Sequence, residues 1–281
     1  GDFNMIISVA SGKGGTGKTL VTTNLAASIG EVELVDCDVE EPNSYLFFPN
    51  REGETSSDCT VKIPVIDEDK CTRCGRCSEF CAYNALAVFP QDVLLFKELC
   101  HGCGGCVLIC PEGAISEGTR PIGKIFRAGS GDVRLLWGEL NVGEPMATPL
   151  IRSVKAEATG DLVLIDSPPG TACPVIEAVR GSDFCLLVTE PTPFGLYDLS
   201  IAVQVVREME IPCGVVVNRS GMGDRGVYDY CEREEIPILL EIPMKREIAE
   251  FYSRGVLFSQ EMTEWQERFA GLIARIEEAI R

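Results

Sequence analysis

Eight of the fourteen cysteines stand in two runs of identical spacing, Cys71-x-x-Cys74-x-x-Cys77-x-x-x-Cys81 and Cys100-x-x-Cys103-x-x-Cys106-x-x-x-Cys110-Pro111. Three thiolates at this spacing converge on one iron-sulfur cube, and the pattern is that of bacterial two-cluster [4Fe-4S] modules, in which each run lends its fourth cysteine to the other cluster. The expected ligand sets are Cys71, Cys74, Cys77 and Cys110 for the first cluster, and Cys100, Cys103, Cys106 and Cys81 for the second. Structural zinc fits less well, because such sites pair two separated C-x-x-C knuckles. Ala82 takes the place that Pro111 holds after the other run, so the first turn is expected to be looser without losing a ligand. His101, the only histidine, follows a ligand directly and reads as a loop residue that tunes potential rather than as a ligand itself. Cys37, Cys59, Cys173, Cys185, Cys213 and Cys231 form no C-x-x-C and are expected as small packed side chains.

A second chemistry lies near the start. Gly12-Lys13-Gly14-Gly15-Thr16-Gly17-Lys18-Thr19 fits G-x-x-x-x-G-K-[ST] between an apolar run and a helical pattern. Glycines there let backbone N-H groups turn onto phosphate oxygens at a helix N-terminus. Lys18 is the cation for the β and γ phosphates, and Thr19 supplies a hydroxyl to Mg²⁺.

Lys13 makes the loop more specific. KGGTGKT resembles the two-lysine loop of the MinD/Mrp/nitrogenase-iron-protein superfamily of ATPases. The resemblance implies ATP and Mg²⁺ as ligands, and a nucleotide-dependent homodimer in which Lys13 reaches across to the partner's site. It extends over most of the chain outside the cysteine runs. Asp36-Cys37-Asp38 resembles switch I, with Asp38 orienting the attacking water and Asp36 a structural neighbour. Asp166-Ser167-Pro168-Pro169-Gly170 resembles switch II, with Asp166 holding the Mg²⁺ shell. Asn218-Arg219 resembles the adenine-reading segment, and Pro243-Met244 a second base-contact loop. Cys173 stands at the offset of a bridging-cluster ligand in the nitrogenase iron protein. No second cysteine precedes Asp166 where that protein carries one, so a packed thiol is expected.

The elements that must position these residues follow from periodicity. Short β-branched or aliphatic runs at Met5 to Ala10, Val32 to Val35, Asp161 to Ile165, Phe184 to Val188, Cys213 to Val217 and Ile236 to Ile242 alternate with helical segments. That alternation builds an α/β fold with a mostly parallel sheet, whose ligands gather at the strands' carboxyl ends. Lys124 to Trp137 predicts a hairpin, Pro149 to Ala156 a helix, and Glu261 to Arg281 a helix presenting Trp265, Phe269, Leu272, Ile273, Ile276 and Ile280 on one face. After the second strand the pattern breaks, and cysteine dominates from about Lys62 to Glu117. The expected organisation is an ATPase part at 5–61, an inserted α+β ferredoxin domain at 62–118, and a second ATPase part at 119–281. Gly1 to Asn4 read as an appended remnant ahead of Met5.

Composition excludes several classes. A formal charge of -18, about -22 with two oxidised clusters, opposes binding to nucleic acid or to anionic lipid. It suits a redox or metal-cofactor-assembly partner carrying a basic docking patch. Thiol-rich sequence without a signal peptide or an apolar span implies a cytoplasmic protein. Three functions fit: nucleotide-coupled electron transfer or docking, an Mrp-like iron-sulfur carrier, and a MinD- or ParA-like positioning ATPase. The last is opposed by the acidity and by a C-terminal helix that lacks a basic polar face.

Overall fold

The computed structural model describes residues 5–280; Gly1 to Asn4, expected to be an appended remnant, lie outside the described residues. The chain opens with β1 (Met5–Ala10), α1 (Lys18–Ala26) and β2 (Val32–Asp36), then a polar stretch that leads into β3 (Glu52–Ile66). The cysteine-rich segment holds α2 (Arg76–Phe80), the short strands β4 (Leu86–Val88) and β5 (Val93–Leu95), and α3 (Gly105–Ile109). β6 (Ile115–Ser130) returns and turns at Gly131 into β7 (Val133–Leu140), the expected hairpin. Regular alternation follows: α4 (Thr148–Ala156), β8 (Leu162–Asp166), α5 (Cys173–Val179), β9 (Phe184–Thr189), α6 (Pro193–Glu208), β10 (Cys213–Ser220), α7 (Gly226–Arg233) and β11 (Ile238–Pro243). The chain closes with α8 (Arg246–Ser253), α9 (Phe258–Glu261) and α10 (Thr263–Ile280).

The main sheet has nine strands in the order β11-β10-β9-β1-β8-β2-β7-β6-β3. Strands β11 through β7 run parallel, and β6 and β3 complete the edge as antiparallel neighbours. Parallel strands covered on both faces need apolar side chains throughout. The VELVD, LVLID and FCLLVT runs supply them and are buried almost completely. On one face α1 and α10 close over the sheet, with Trp265, Phe269, Leu272 and Ile276 in the core. Ile280, expected on that face, is instead 40% exposed because the helix has run past the sheet by its last turn.

β3 is the element the polar sequence concealed. Its first residues are exposed on both sides, as an edge strand permits, so no alternation marks it. Through β7 and β6, Asp36 stands level with Trp137, Phe126 and Ser56. β3 and β6 continue past that level as a two-stranded ribbon, pairing Lys62 with Thr119 and Ile66 with Ile115. At about 3.3 Å per residue, Lys62 lies about 20 Å beyond Ser56 along the strand. The cysteine-rich segment caps this ribbon on the side to which the parallel strands point. The ribbon passes through the expected domain boundaries at 61/62 and 118/119 without a break.

Candidate nucleotide and cluster sites

The phosphate loop links β1 to α1. Gly15 and Gly17 adopt left-handed φ values of 77° and 99°, and a Cβ on Gly17 would stand 2.3 Å from Asn218 Nδ2. No side chain caps α1, so its first N-H groups are available to an anion. Lys18 is buried at the head of the helix.

Asp166 ends β8 beside β1 and β2. Thr19 Oγ1 donates to its Oδ2 at 2.7 Å, and Ser44 Oγ donates to the same oxygen at 2.9 Å. Thr22 Oγ1, which donates to the Lys18 carbonyl, lies 3.3 Å from Asp166 Oδ1. Asp36 is tied down by three backbone donors, Asp38 N at 3.0 Å, Asn43 N at 3.0 Å and Ser44 N at 2.9 Å. Its role is therefore to hold the loop that follows β2.

Asp36, Asp38 and Asp166 crowd one region, and burial raises all three carboxyls. Asp36 rises to about 7, with Asp166 adding to the effect. Asp38 rises to about 6, against the opposing pull of Lys18. Asp166 rises too, though the Thr19 hydroxyl and Lys18 oppose it. A divalent cation beside such a set reverses this trend by favouring the ionised forms. The hydroxyl of Thr19 and the carboxylate of Asp166 are hard oxygen donors of the kind Mg²⁺ takes. The buried Thr16 Oγ1 also lacks a partner among the described residues. The residues present thus fit MgATP.

The signature lysine does not stand free. Lys13 Nζ donates to Glu190 Oε1 at 2.8 Å and lies 4.0 Å from Asp198. Arg219 Nη1 donates to Glu190 Oε2 at 2.7 Å, and Arg219 Nη2 to the Gly15 carbonyl at 3.1 Å. Burial would raise Glu190, but the two cations hold it below the usual carboxylate range. Asn218 Nδ2 donates to the Thr16 carbonyl at 2.8 Å, bracing the phosphate loop. Pro243 and the exposed Met244 lie beside this end of β10, where Met244 N donates to the Ser220 carbonyl at 3.1 Å.

The eight cysteines of the two runs line two cavities. Cys71, Cys74, Cys77 and Cys110 surround one, and Cys81, Cys100, Cys103 and Cys106 surround the other, of about 160 Å³. These are the crossed sets that the spacing implied. The halves match in backbone. Arg73 and Gly102, Gly75 and Gly104, and Asn84 and Gly113 are left-handed at equivalent places. Ala85 N donates to Cys81 Sγ and Ala114 N to Cys110 Sγ, each at 3.3 Å. Ala82 leaves its turn unchanged: Cys81 and Cys110 have φ of -73° and -70°. Among the described residues no three His, Cys, Asp or Glu converge tightly enough for a single metal ion. A cube of four irons holds its thiolates at separate corners, so its ligands need not meet at one point. His101 stacks on Tyr83 with ring centroids 3.6 Å apart, on the wall of the second cavity.

Residues 7–258 match the profile of the CobQ/CobB/MinD/ParA nucleotide-binding domain. The chain belongs to this family. It is a MinD/ParA-type P-loop ATPase. The uncharacterized protein MJ0579 of Methanocaldococcus jannaschii is 30% identical over 261 residues, covering 90% of this chain and 91% of that protein. An iron-sulfur cluster carrier protein of Pyrococcus abyssi is 24% identical over 269 residues, covering 89% and 77%. The polyferredoxin protein MvhB of Methanothermobacter thermautotrophicus is 39% identical over 51 residues, 18% of this chain and 12% of that protein. The Mg-ADP complex of the septum site-determining protein MinD from Pyrococcus horikoshii superimposes with a TM-score of 0.59 at 20% identity, covering 97% and 95%. It shares the fold.

Within this ATPase fold, sequence reasoning missed Glu190, Ser44 and Thr22. Glu190 follows β9, the strand beside β1, so its place at a carboxyl end was the available signal. Cys173, expected to be packed, is exposed at the start of α5. The helix turns its apolar face inward through Val175, Ala178 and Val179, which leaves its first residue outside. Cys37, Cys59, Cys185 and Cys231 are buried as expected.

Proposed function

We propose that this ATPase is an iron-sulfur protein whose nucleotide state controls electron transfer, or docking on a redox or metal-cofactor-assembly partner. The supporting observation is continuity: two four-cysteine cavities ride on a ribbon that extends the sheet carrying the phosphate loop and both switches. The crossed cysteine sets would hold two [4Fe-4S] clusters, which when bound accept and donate single electrons.

In this reading Thr19 and Asp166 hold Mg²⁺, Lys18 neutralises the β and γ phosphates, and the loop glycines cradle them. Asp38 orients water for attack, Asn218 and Arg219 border the base with Pro243 and Met244, and Lys13 leaves Glu190 to act across a nucleotide-dependent homodimer. The charge of -18 favours a partner with a basic patch over nucleic acid or anionic lipid, and the fourteen cysteines suit a cytoplasmic setting, where thiols stay reduced. Among the described residues no helix is long and apolar enough to cross a membrane.

Lys18→Ala or Asp38→Ala should leave the iron content intact and abolish ATP-dependent reduction of a partner. Undiminished reduction by either variant would refute the proposal. A second reading, delivery of clusters to apo-proteins, is favoured by the carrier proteins among the relatives. Against it, each cavity draws a ligand from both cysteine runs, which suits retained clusters better than cargo. Transfer of ⁵⁵Fe from the loaded protein to an apo-acceptor, stimulated by ATP, would decide for it.

A further inference from the structure

The ribbon leaves the ATPase sheet at a bulge. Cys59 pairs with Gly123 but Thr60 pairs with Pro121, so Ile122 is the extra residue. A bulge breaks the ladder locally and lets a strand change direction, and Pro121 adds a position without a backbone donor. The departure point is nevertheless gripped. Asn141 N donates to the Ile122 carbonyl at 2.8 Å, and Asn141 Nδ2 to the Pro121 carbonyl at 3.3 Å. Next along, Arg120 makes a two-point ion pair with Glu144, its Nη2 standing 3.2 Å from Oε1. The side chains are 15% and 3% exposed, unlike the solvated pairs elsewhere on the surface. Both gripping residues belong to the loop after β7.

The strand end that leads into that loop is joined to switch I. Leu140 N donates to the carbonyl of Val39, the residue after Asp38, at 2.8 Å. A Cβ on Gly138 would stand 2.8 Å from Val39 and 2.9 Å from Val154, so β7 permits no slack between switch I and α4. Ala147, at the far end of the same loop, shares a cavity wall with Asp38, Val39, Pro168 and Pro169 of the two switches. On the other side of the clamp, Arg120 pairs with Val61, and Lys62, Ile63, Pro64 and Glu117 form part of the wall of the Cys81, Cys100, Cys103 and Cys106 cavity. The clamp is thus one residue pair from that wall. Glu144, and more weakly Glu98 and Cys100, act on the Arg120 charge.

We infer that Arg120 and Glu144 form a positioning clamp through which movement of the switches is passed to the bulge, altering the placement of the Arg120 charge beside the second cluster site. This rests on the reading that nucleotide state and clusters are coupled, and specifies by which contact. A cation close to a cluster favours its one-electron-reduced, more negative state, so displacing Arg120 shifts the potential of that cluster and spares the other. Switch loops are elements with two arrangements set by the γ-phosphate. The bulge is the compliant point that lets a rigid ribbon follow them.

The test uses the full chain with both clusters reconstituted, titrated with dithionite and followed by EPR, in MgADP and in a non-hydrolysable MgATP analogue. In the parent protein the cluster that is lost in Cys81→Ala should shift with nucleotide. Arg120→Gln should lower its potential, lose the nucleotide-dependent shift and keep MgATP hydrolysis unchanged; Arg120→Lys should restore part of the shift. A full shift in Arg120→Gln, or equal shifts of both clusters, would overturn the clamp while leaving the coupled function standing. ATP-dependent reduction of a partner with no shift in the parent would do the same. Loss of that reduction in the parent would remove both. If Arg120→Gln loses its clusters, amide hydrogen exchange of the parent decides. Residues 118–123 and 139–145 should differ in protection between the two nucleotides, and identical protection would overturn the inference.

Discussion

In the proposed homodimer Lys13 would act on a second copy's nucleotide only after leaving Glu190, and the size of that hold can be worked from the contacts. The bond is short, 2.8 Å, but the lysine is 32% exposed and the carboxylate 14%. A charge-assisted pair in that setting contributes about 1 kcal/mol, between the exposed and buried limits. Glu190 does not become an orphan when Lys13 departs, because Arg219 remains at 2.7 Å. The opposing term is therefore confined to one contact. Glu190→Gln keeps the shape and weakens the hold by about 1 kcal/mol per protomer; a homodimer releases two such contacts, so the free energy of assembly should improve by about 2 kcal/mol, a factor of about thirty in the dissociation constant. The assay is specific ATPase activity against protein concentration, with sedimentation of Asp38→Ala, Glu190→Gln in MgATP alongside. The concentration for half-maximal activity should fall by about that factor, with KM for ATP little changed. An unchanged or higher half-point would refute the latch; a raised KM with unchanged assembly would mean that Glu190 serves the phosphate loop through Arg219.

Asp38→Asn should abolish hydrolysis yet stabilise the nucleotide-free protein at alkaline pH. A carboxyl raised to about 6 destabilises the fold as pH climbs from the unfolded value near 4 through 6, because the folded state binds the proton more tightly. Discounted for partial exposure, the gain is about 1–2 kcal/mol above pH 7 and vanishes below about pH 4, measurable as urea midpoints across that range. Ser44→Ala removes one of two hydroxyl donors on Asp166 Oδ2 and should raise the Mg²⁺ concentration for half-maximal activity by about tenfold, read from a metal titration. Cys110→Ser should damage the cluster of Cys71, Cys74 and Cys77, lowering iron from about eight to about four per chain while sparing the other signal in EPR.

What the sequence disclosed is local chemistry. The glycine loop, the two acidic switch segments and the cysteine runs each carry their meaning within a few residues, and the buried strands announce themselves by continuous aliphatic composition. The grouping of Cys81 with the second run and Cys110 with the first, as the two cavities show it, follows the repeat pattern of two-cluster modules. β3 was hidden because Glu52 to Asp58 are exposed and polar, so backbone pairing with β6 alone defines them. Glu190 was hidden for a different reason: its partner Lys13 is 177 residues away, and only the adjacency of β9 to β1 brings them together. Cys173 was misjudged because cysteine is usually packed, whereas a helix start that faces outward overrides residue type.

The matched backbones of the two cysteine halves carry a consequence for how such a module could arise. Either half taken alone would line its cavity with three cysteines and offer a fourth to a cavity it does not possess. Such a half is incomplete by itself and self-complementary to its own duplicate. A single-run ancestor would have needed to pair with a second molecule before it could close a cluster, and tandem duplication would have turned that encounter into a permanent one. The left-handed Arg73 and Asn84, opposite Gly102 and Gly113, show that the shared backbone path holds at these places without glycine in both halves.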